Sequence, residues 1–154
     1  MELNKLSLIH SGKCIVRVFI VDDSELVRSR LVQALSEIKG IKIVGEAGFV
    51  EDAIREIMKL TPDIAIIDIK MTDGNGIDIL TAIRKNNLAT RFIVLTNYPY
   101  LQYRKRYLDA GADFFFYKAT EMNKLEDLLE KIVLRQKKEL MVSKSNRNRR
   151  NHLV

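Results

Sequence analysis

The chain holds one cysteine, Cys14, in 154 residues, and its longest apolar runs are only about strand length. A single cysteine excludes an internal disulfide. Its place beside an apolar strand suits a small buried hydrophobe better than a reactive thiol. The short apolar runs exclude a membrane helix, which needs roughly 20 consecutive apolar residues. Met1-Glu2-Leu3-Asn4 lacks the basic-then-apolar order of a signal peptide. These absences predict a cytoplasmic protein with no membrane partner.

Acidic charge is scarce in one region only. From Arg135 onward seven basic residues face Glu139 alone, so this segment carries the entire formal charge of +6 and residues 1–134 balance. The basic character therefore belongs to the tail and implies no basic face on the folded body. With 47% apolar residues the chain can bury a genuine core as one domain.

Strand-like and helix-like patterns alternate five times. Ile15 to Val21, Ile41 to Val44, Ile64 to Ile67, Phe92 to Leu95 and Phe114 to Tyr117 are apolar and strand-length. Between them, three- and four-residue apolar spacings predict a helix of about 14 residues from Glu25, stopped by Gly40, and others over Val50 to Leu60, around Ile77 to Ile83, and over Tyr100 to Ala110. A last helix, capped by Thr120, carries Leu125, Leu128, Leu129, Ile132 and Val133 and runs to about Leu140. Five βα units predict a parallel sheet with helices on both faces, since crossovers are right-handed.

Asp22 and Asp23 close the first apolar run and Asp68 closes the third. If those strands are neighbours, the three carboxylates meet at the carboxyl edge of the sheet, where open α/β folds place their sites. Like charges gathered there call for a cation, and oxygen-only ligands suit Mg²⁺, which keeps waters and room for a phosphate. Thr96 and Lys118 end the fourth and fifth strands on the same edge. A hydroxyl, an ammonium and a cation site converging on one carboxylate can stabilise a transferring phosphoryl group, with the carboxylate as nucleophile.

Val21-Asp22-Asp23-Ser24, Asp68 with Met71 and Gly76 beyond it, Leu95-Thr96, and Gly111-Ala112-Asp113 leading to Lys118 are, in order and spacing, similar to a response-regulator receiver domain over roughly residues 15–140. The resemblance implies a doubly wound (βα)5 three-layer sandwich of flavodoxin-like type, with a five-stranded parallel sheet in order 2-1-3-4-5. It implies Asp68 as phosphoacceptor, Asp23 as a direct Mg²⁺ ligand, Asp22 acting through water, and the Lys70 carbonyl as a further ligand. Thr96 would bind a phosphoryl oxygen, Lys118 would pair with the phosphate, and Phe115 would be the switch aromatic. Lys70 and Tyr98, two residues beyond Asp68 and Thr96, would flank the path of hydrolytic water and set the lifetime of the acyl phosphate.

The chain departs from the family pattern at Thr72 and Asn75, which alters the loop after Asp68, and at Ala119, where a proline is usual. A cis Lys118–Ala119 bond would cost about 2.5–4 kcal/mol, so trans is expected. Phe115 has no hydroxyl, leaving ring packing as its means of switching.

The domain reading is an N-terminal extension over 1–13, a receiver over 14–140, and a basic, largely disordered tail over 141–154. With 14 residues after Leu140, the expectation is a stand-alone response regulator, not an enzyme beyond assisting its own phosphorylation and dephosphorylation. It would be charged by a histidine kinase or phosphotransfer protein. Its signal would pass to an unidentified protein through the face of the fourth helix, fifth strand and fifth helix, where Tyr98, Tyr100, Tyr103 and Tyr107 accompany Arg104, Lys105 and Arg106. A phosphorylation-dependent homodimer stays open, as does a truncated regulator lacking its output domain. An alternative makes the tail the effector, with Lys144, Arg147, Arg149 and Arg150 contacting nucleic acid or another anionic partner. Against it, the tail has no aromatic residue for stacking and no recognition-helix pattern. His10 and His152 are assigned no role.

Overall fold

The computed structural model describes residues 14–152; the expected extension over 1–13, with His10, and residues 153–154 lie outside the described residues. Five strands, β1 (Val16–Val21), β2 (Ile41–Ala47), β3 (Ile64–Ile67), β4 (Arg91–Thr96) and β5 (Phe114–Tyr117), form one sheet. Every neighbouring pair is parallel and the order is β2-β1-β3-β4-β5, the doubly wound arrangement expected. Helices α1 (Glu25–Ser36), α2 (Val50–Leu60), α3 (Gly76–Lys85), α4 (Leu101–Asp109) and α5 (Lys118–Asn151) connect and follow the strands.

The central strands are apolar apart from Arg17 in β1 and the terminal Arg91 and Thr96 of β4, because both faces are covered. Val16, Val18 and Ile20 of β1 pack with Leu31 and Leu35 of α1 and with Leu125, Leu129, Ile132 and Val133 of α5. Phe19 and Val21 point the other way, into a core with Val50 and Ile57 of α2, Ile79 and Leu80 of α3, and Tyr107 of α4. The strand period of two thus divides one sequence between two cores. Val21 pairs with Ile67, Ile67 with Val94, and Thr96 with Tyr117, so the carboxyl ends of the four site-bearing strands finish nearly level.

Four expectations are corrected. Helix α1 stops at Ser36, and Gly40, at φ +90°, instead turns the chain into β2. Strand β2 continues past Val44 to Ala47, with a bulge opposite Val18/Phe19. As an edge strand it is half exposed, and Gly45 and Glu46 fit there because β1 supplies the pairing. Thr120 does not cap α5, which begins at Lys118 with Tyr117 as N-cap and no side-chain cap bond. Helix α5 also passes the expected end at Leu140 and runs to Asn151, so residues 141–151 are helical instead of disordered. Propagating an established helix costs far less than nucleating one, and the apolar stripe records packing, not helicity. All side chains from Met141 to His152 are exposed.

Cys14 is half-buried, its Sγ donating to Gln136 Oε1 at 3.3 Å, and burial pushes its thiol pKa up. No described helix is long and apolar enough to cross a membrane.

Candidate functional site

Asp22 stays on the line of β1 because its N–H donates to Ala47 O at 3.1 Å, and Asp68 extends β3 in the same way, donating to Val21 O at 3.0 Å. Two carboxylates are thereby fixed side by side at the strand ends. Asp22 Oδ1 accepts the Ser24 N–H at 2.9 Å, while Ser24 Oγ accepts the Val27 N–H at 3.3 Å and caps α1. Asp68 Oδ1 accepts the Ile69 N–H at 2.7 Å. Lys118, the first residue after β5, donates its ammonium to Asp68 Oδ2 at 3.1 Å and to Asp22 Oδ2. Asp23 is exposed, and its Oδ2 accepts from Thr72 Oγ1 at 3.2 Å.

Carboxylate oxygens of Asp22, Asp23 and Asp68 lie within 4.8 Å of one another. Burial pushes the Asp68 carboxyl above its ordinary pKa, against the opposing pull of the Lys118 ammonium, and the Asp22 charge adds to the rise. For Lys118 burial disfavours the charged form, but the Asp68 and Asp22 carboxylates outweigh it and hold the ammonium above its usual pKa. Three carboxylates against one ammonium leave an oxygen-only site two negative charges in excess. That donor set fits a hard divalent cation such as Mg²⁺, with Asp22, Asp23 and Asp68 as the residues to hold it.

The segment after Asp68 is shaped by a short antiparallel pairing of Lys70–Met71 with Gly74–Asn75. Asp73 at its tip accepts the Val50 N–H with both oxygens, at 2.8 and 3.0 Å, and so ties the loop to the start of α2. Gly76 donates to Ile69 O at 2.8 Å, and a Cβ there would sit 2.5 Å from Asp68 O. Only glycine lets α3 start this close to the Asp68 backbone.

Thr96 is fully buried at the end of β4, its Oγ1 accepting the Tyr98 N–H at 3.2 Å. Lys70 and Tyr98 meet each other, the ammonium lying 4.4 Å from the ring centroid. Phe115 is not among the carboxylates. Its buried ring stands edge-on to Tyr107 at 6.4 Å and to Tyr117 at 5.5 Å, and the Arg104 guanidinium is 5.9 Å from its centroid. The Lys118–Ala119 bond is trans. Sequence reasoning missed Arg28, which donates to Asp22 O at 2.7 Å, as well as the anchoring role of Asp73 and the hydroxyl of Thr72. Arg28 lies in α1 and Thr72 and Asp73 at a loop tip, and none carries a local signal of the group it meets.

A model of the response regulator receiver domain family matches residues 18–130. Among curated proteins, the response regulator protein VraR of Staphylococcus epidermidis is 32% identical over 116 residues, 75% of this chain and 56% of the relative. The DNA-binding transcriptional activator DevR/DosR of Mycobacterium tuberculosis is 39% identical over 83 residues, 54% of this chain and 38% of that protein. The chain thus spans about half the length of the curated relatives it matches. Among solved structures, the signal receiver domain of the putative response regulator NarL from Mycobacterium tuberculosis superposes with a TM-score of 0.69 at 30% identity, covering 80% of this chain and 97% of that one. The response regulator domain of Thermotoga maritima CheB gives 0.68 at 26% identity, covering 80% and 97%. With the matched segment containing the acidic strand ends, the buried threonine and the lysine that bridges two aspartates, the chain belongs to the response regulator receiver family.

Proposed function

We propose that this receiver takes a phosphoryl group onto Asp68 from a histidine kinase or phosphotransfer protein and signals through phosphorylation-dependent contact with another protein. The observation that carries this reading is the bridging of Asp22 and Asp68 by Lys118 beside a third carboxylate, Asp23. A carboxylate oxygen of Asp68 forms the new bond to phosphorus as the donor's bond breaks, and the leaving group departs with the electron pair. Mg²⁺, when bound by the aspartates and the Lys70 carbonyl, would neutralise charge on the phosphoryl oxygens. Lys118, already within reach of Asp68, would pair with the phosphoryl group, and the Thr96 hydroxyl would donate to one of its oxygens. The chain acts on itself and turns over no separate substrate.

The face of α4, β5 and α5 would deliver the signal. Tyr100 and Leu101 of this region are 55% and 78% exposed, an apolar surface beside Arg104 and the buried Phe115. Persistence would be set at the other side of the site, where the Lys70–Tyr98 pair flanks the approach of hydrolytic water.

Incubation with a small phosphodonor and Mg²⁺ tests the acceptor assignment by intact-mass spectrometry. One phosphoryl adduct is expected, absent from Asp68→Asn and suppressed by chelator. Full labelling of the variant would overturn it.

A further inference from the structure

We propose that the protruding end of α5, Met141–Asn151, is a binding element for duplex DNA, with Lys144, Arg147, Arg149 and Arg150 contacting phosphates. As a disordered tail this segment would be a common solvated charge run. As a helix it is a different object. The last buried residues of α5 are Ile132 and Val133, yet the helix continues to Asn151 with every side chain from Met141 exposed. Eleven residues at 1.5 Å each make about 16 Å of unpartnered rod, of a diameter that the major groove admits.

Its composition selects the partner. From Ser143 to Asn151 the segment contains two serines, three asparagines and four cations, with no acidic and no apolar residue. A membrane surface or a protein groove requires an apolar stripe, and here the exposed apolar residues Leu134, Met141 and Val142 all lie nearer the body. At about 100° per residue the four cations spread over more than half the circumference. Such a distribution meets two walls of a groove at once and is poorly used against a flat surface. Asparagine amides and guanidinium groups are also the side chains that read base edges. Absence of aromatics in the segment, which counts against single strands, is no obstacle to contact with duplex phosphates. The rest of the chain carries a net charge of +2, which does not oppose approach.

Fluorescence anisotropy with a labelled 20-base-pair mixed-sequence DNA duplex, using the full chain, tests this. Binding should weaken with salt along a log–log slope of about −3 to −4, as expected for four phosphate contacts. Replacing Lys144, Arg147, Arg149 and Arg150 by alanine, or deleting 141–154, should lower affinity at least about tenfold with the melting temperature unchanged, because these side chains are exposed. Ser145→Pro keeps every charge but breaks the rod, and should lower affinity about fivefold or more. A single strand of the same length should bind more weakly than the duplex. Undiminished binding by the alanine or proline variant, equal affinity for the single strand, or binding to phosphatidylglycerol vesicles without binding to the duplex would each overturn the proposal.

Discussion

The Lys70 ammonium rests 4.4 Å from the centroid of the Tyr98 ring, joining the loop after Asp68 to the loop after Thr96. Tyr98 is in turn edge-on to Tyr103 of α4 at 6.4 Å, and Tyr103 to Tyr100 at 5.9 Å, so the ring under Lys70 is braced from behind.

A cation–π pair of this kind is worth about 0.5–1 kcal/mol at an exposed position and more when desolvated. Under the proposed role its effect on hydrolysis would exceed its energy, because the attacking water must lie in line with the breaking bond. Lys70→Asn with Tyr98→Glu should accelerate loss of phosphate from Asp68 by about tenfold, equivalent to roughly 1.4 kcal/mol of barrier. Since each residue holds the other, the two single changes should not add. Phosphate-loss kinetics after donor removal measure this, and a double variant no faster than the parent would remove both residues from control of the lifetime.

Asp22 and Asp23 are adjacent in sequence and unlike in structure. Asp22 is buried and accepts from Ser24 N–H and Lys118; Asp23 is exposed and accepts from the Thr72 hydroxyl alone. Asp22→Ala would leave the part-buried Ser24 amide without its partner and the half-buried Lys118 ammonium with Asp68 alone, and relief of carboxylate repulsion offsets part of that loss, so it should cost about 1–3 kcal/mol of stability. Asp23→Ala should alter stability by no more than about 0.5 kcal/mol, yet weaken Mg²⁺ binding the more strongly of the two. Denaturant melts and a Mg²⁺ titration on each variant separate the effects. Equal loss of stability in both would contradict the different roles.

The five strands were legible because β1, β3 and β4 are buried on both faces and read as apolar runs, interrupted only by Arg17 and bounded by Arg91 and Thr96, whereas their order came from the family resemblance. Helix α2 was legible for a related reason: Val50, Ala53 and Ile57 are its buried side, and Thr61-Pro62 ends it. The strand-end residues Asp22, Asp68, Thr96 and Lys118 followed once the strands were placed. What escaped has no local pattern. A two-residue pairing such as Lys70–Met71 with Gly74–Asn75 is too short to be periodic. The contact of Lys70 with Tyr98 and that of Asp73 with Val50 join loops far apart in the chain. Residues 141–151 escaped because periodicity detects a helix only through the face it buries, and this stretch buries none.

Tyr107 supplies a pH test of the core behind the site. It is 2% exposed, packs against Phe92 and Phe115, and its hydroxyl lies 3.4 Å from Ile69 O, the residue after the proposed phosphoacceptor. Burial pushes its pKa from 10.0 up to about 12. Below pH 10 the folded and unfolded chains both keep the proton, so its contribution to stability is whole. Between about 10 and 12 the unfolded chain releases the proton while the folded chain retains it, and stability falls across that window. At about 1.4 kcal/mol per pH unit the loss amounts to some 2–3 kcal/mol. Tyr107→Phe keeps the ring and removes the ionisation. Lysines and other tyrosines titrate in both proteins, so the difference between their stability curves isolates this group. The variant's curve should run flatter than the parent's from pH 10 to 12. Parallel curves from urea melts over that range would show that Tyr107 ionises in the folded protein as readily as in the unfolded chain.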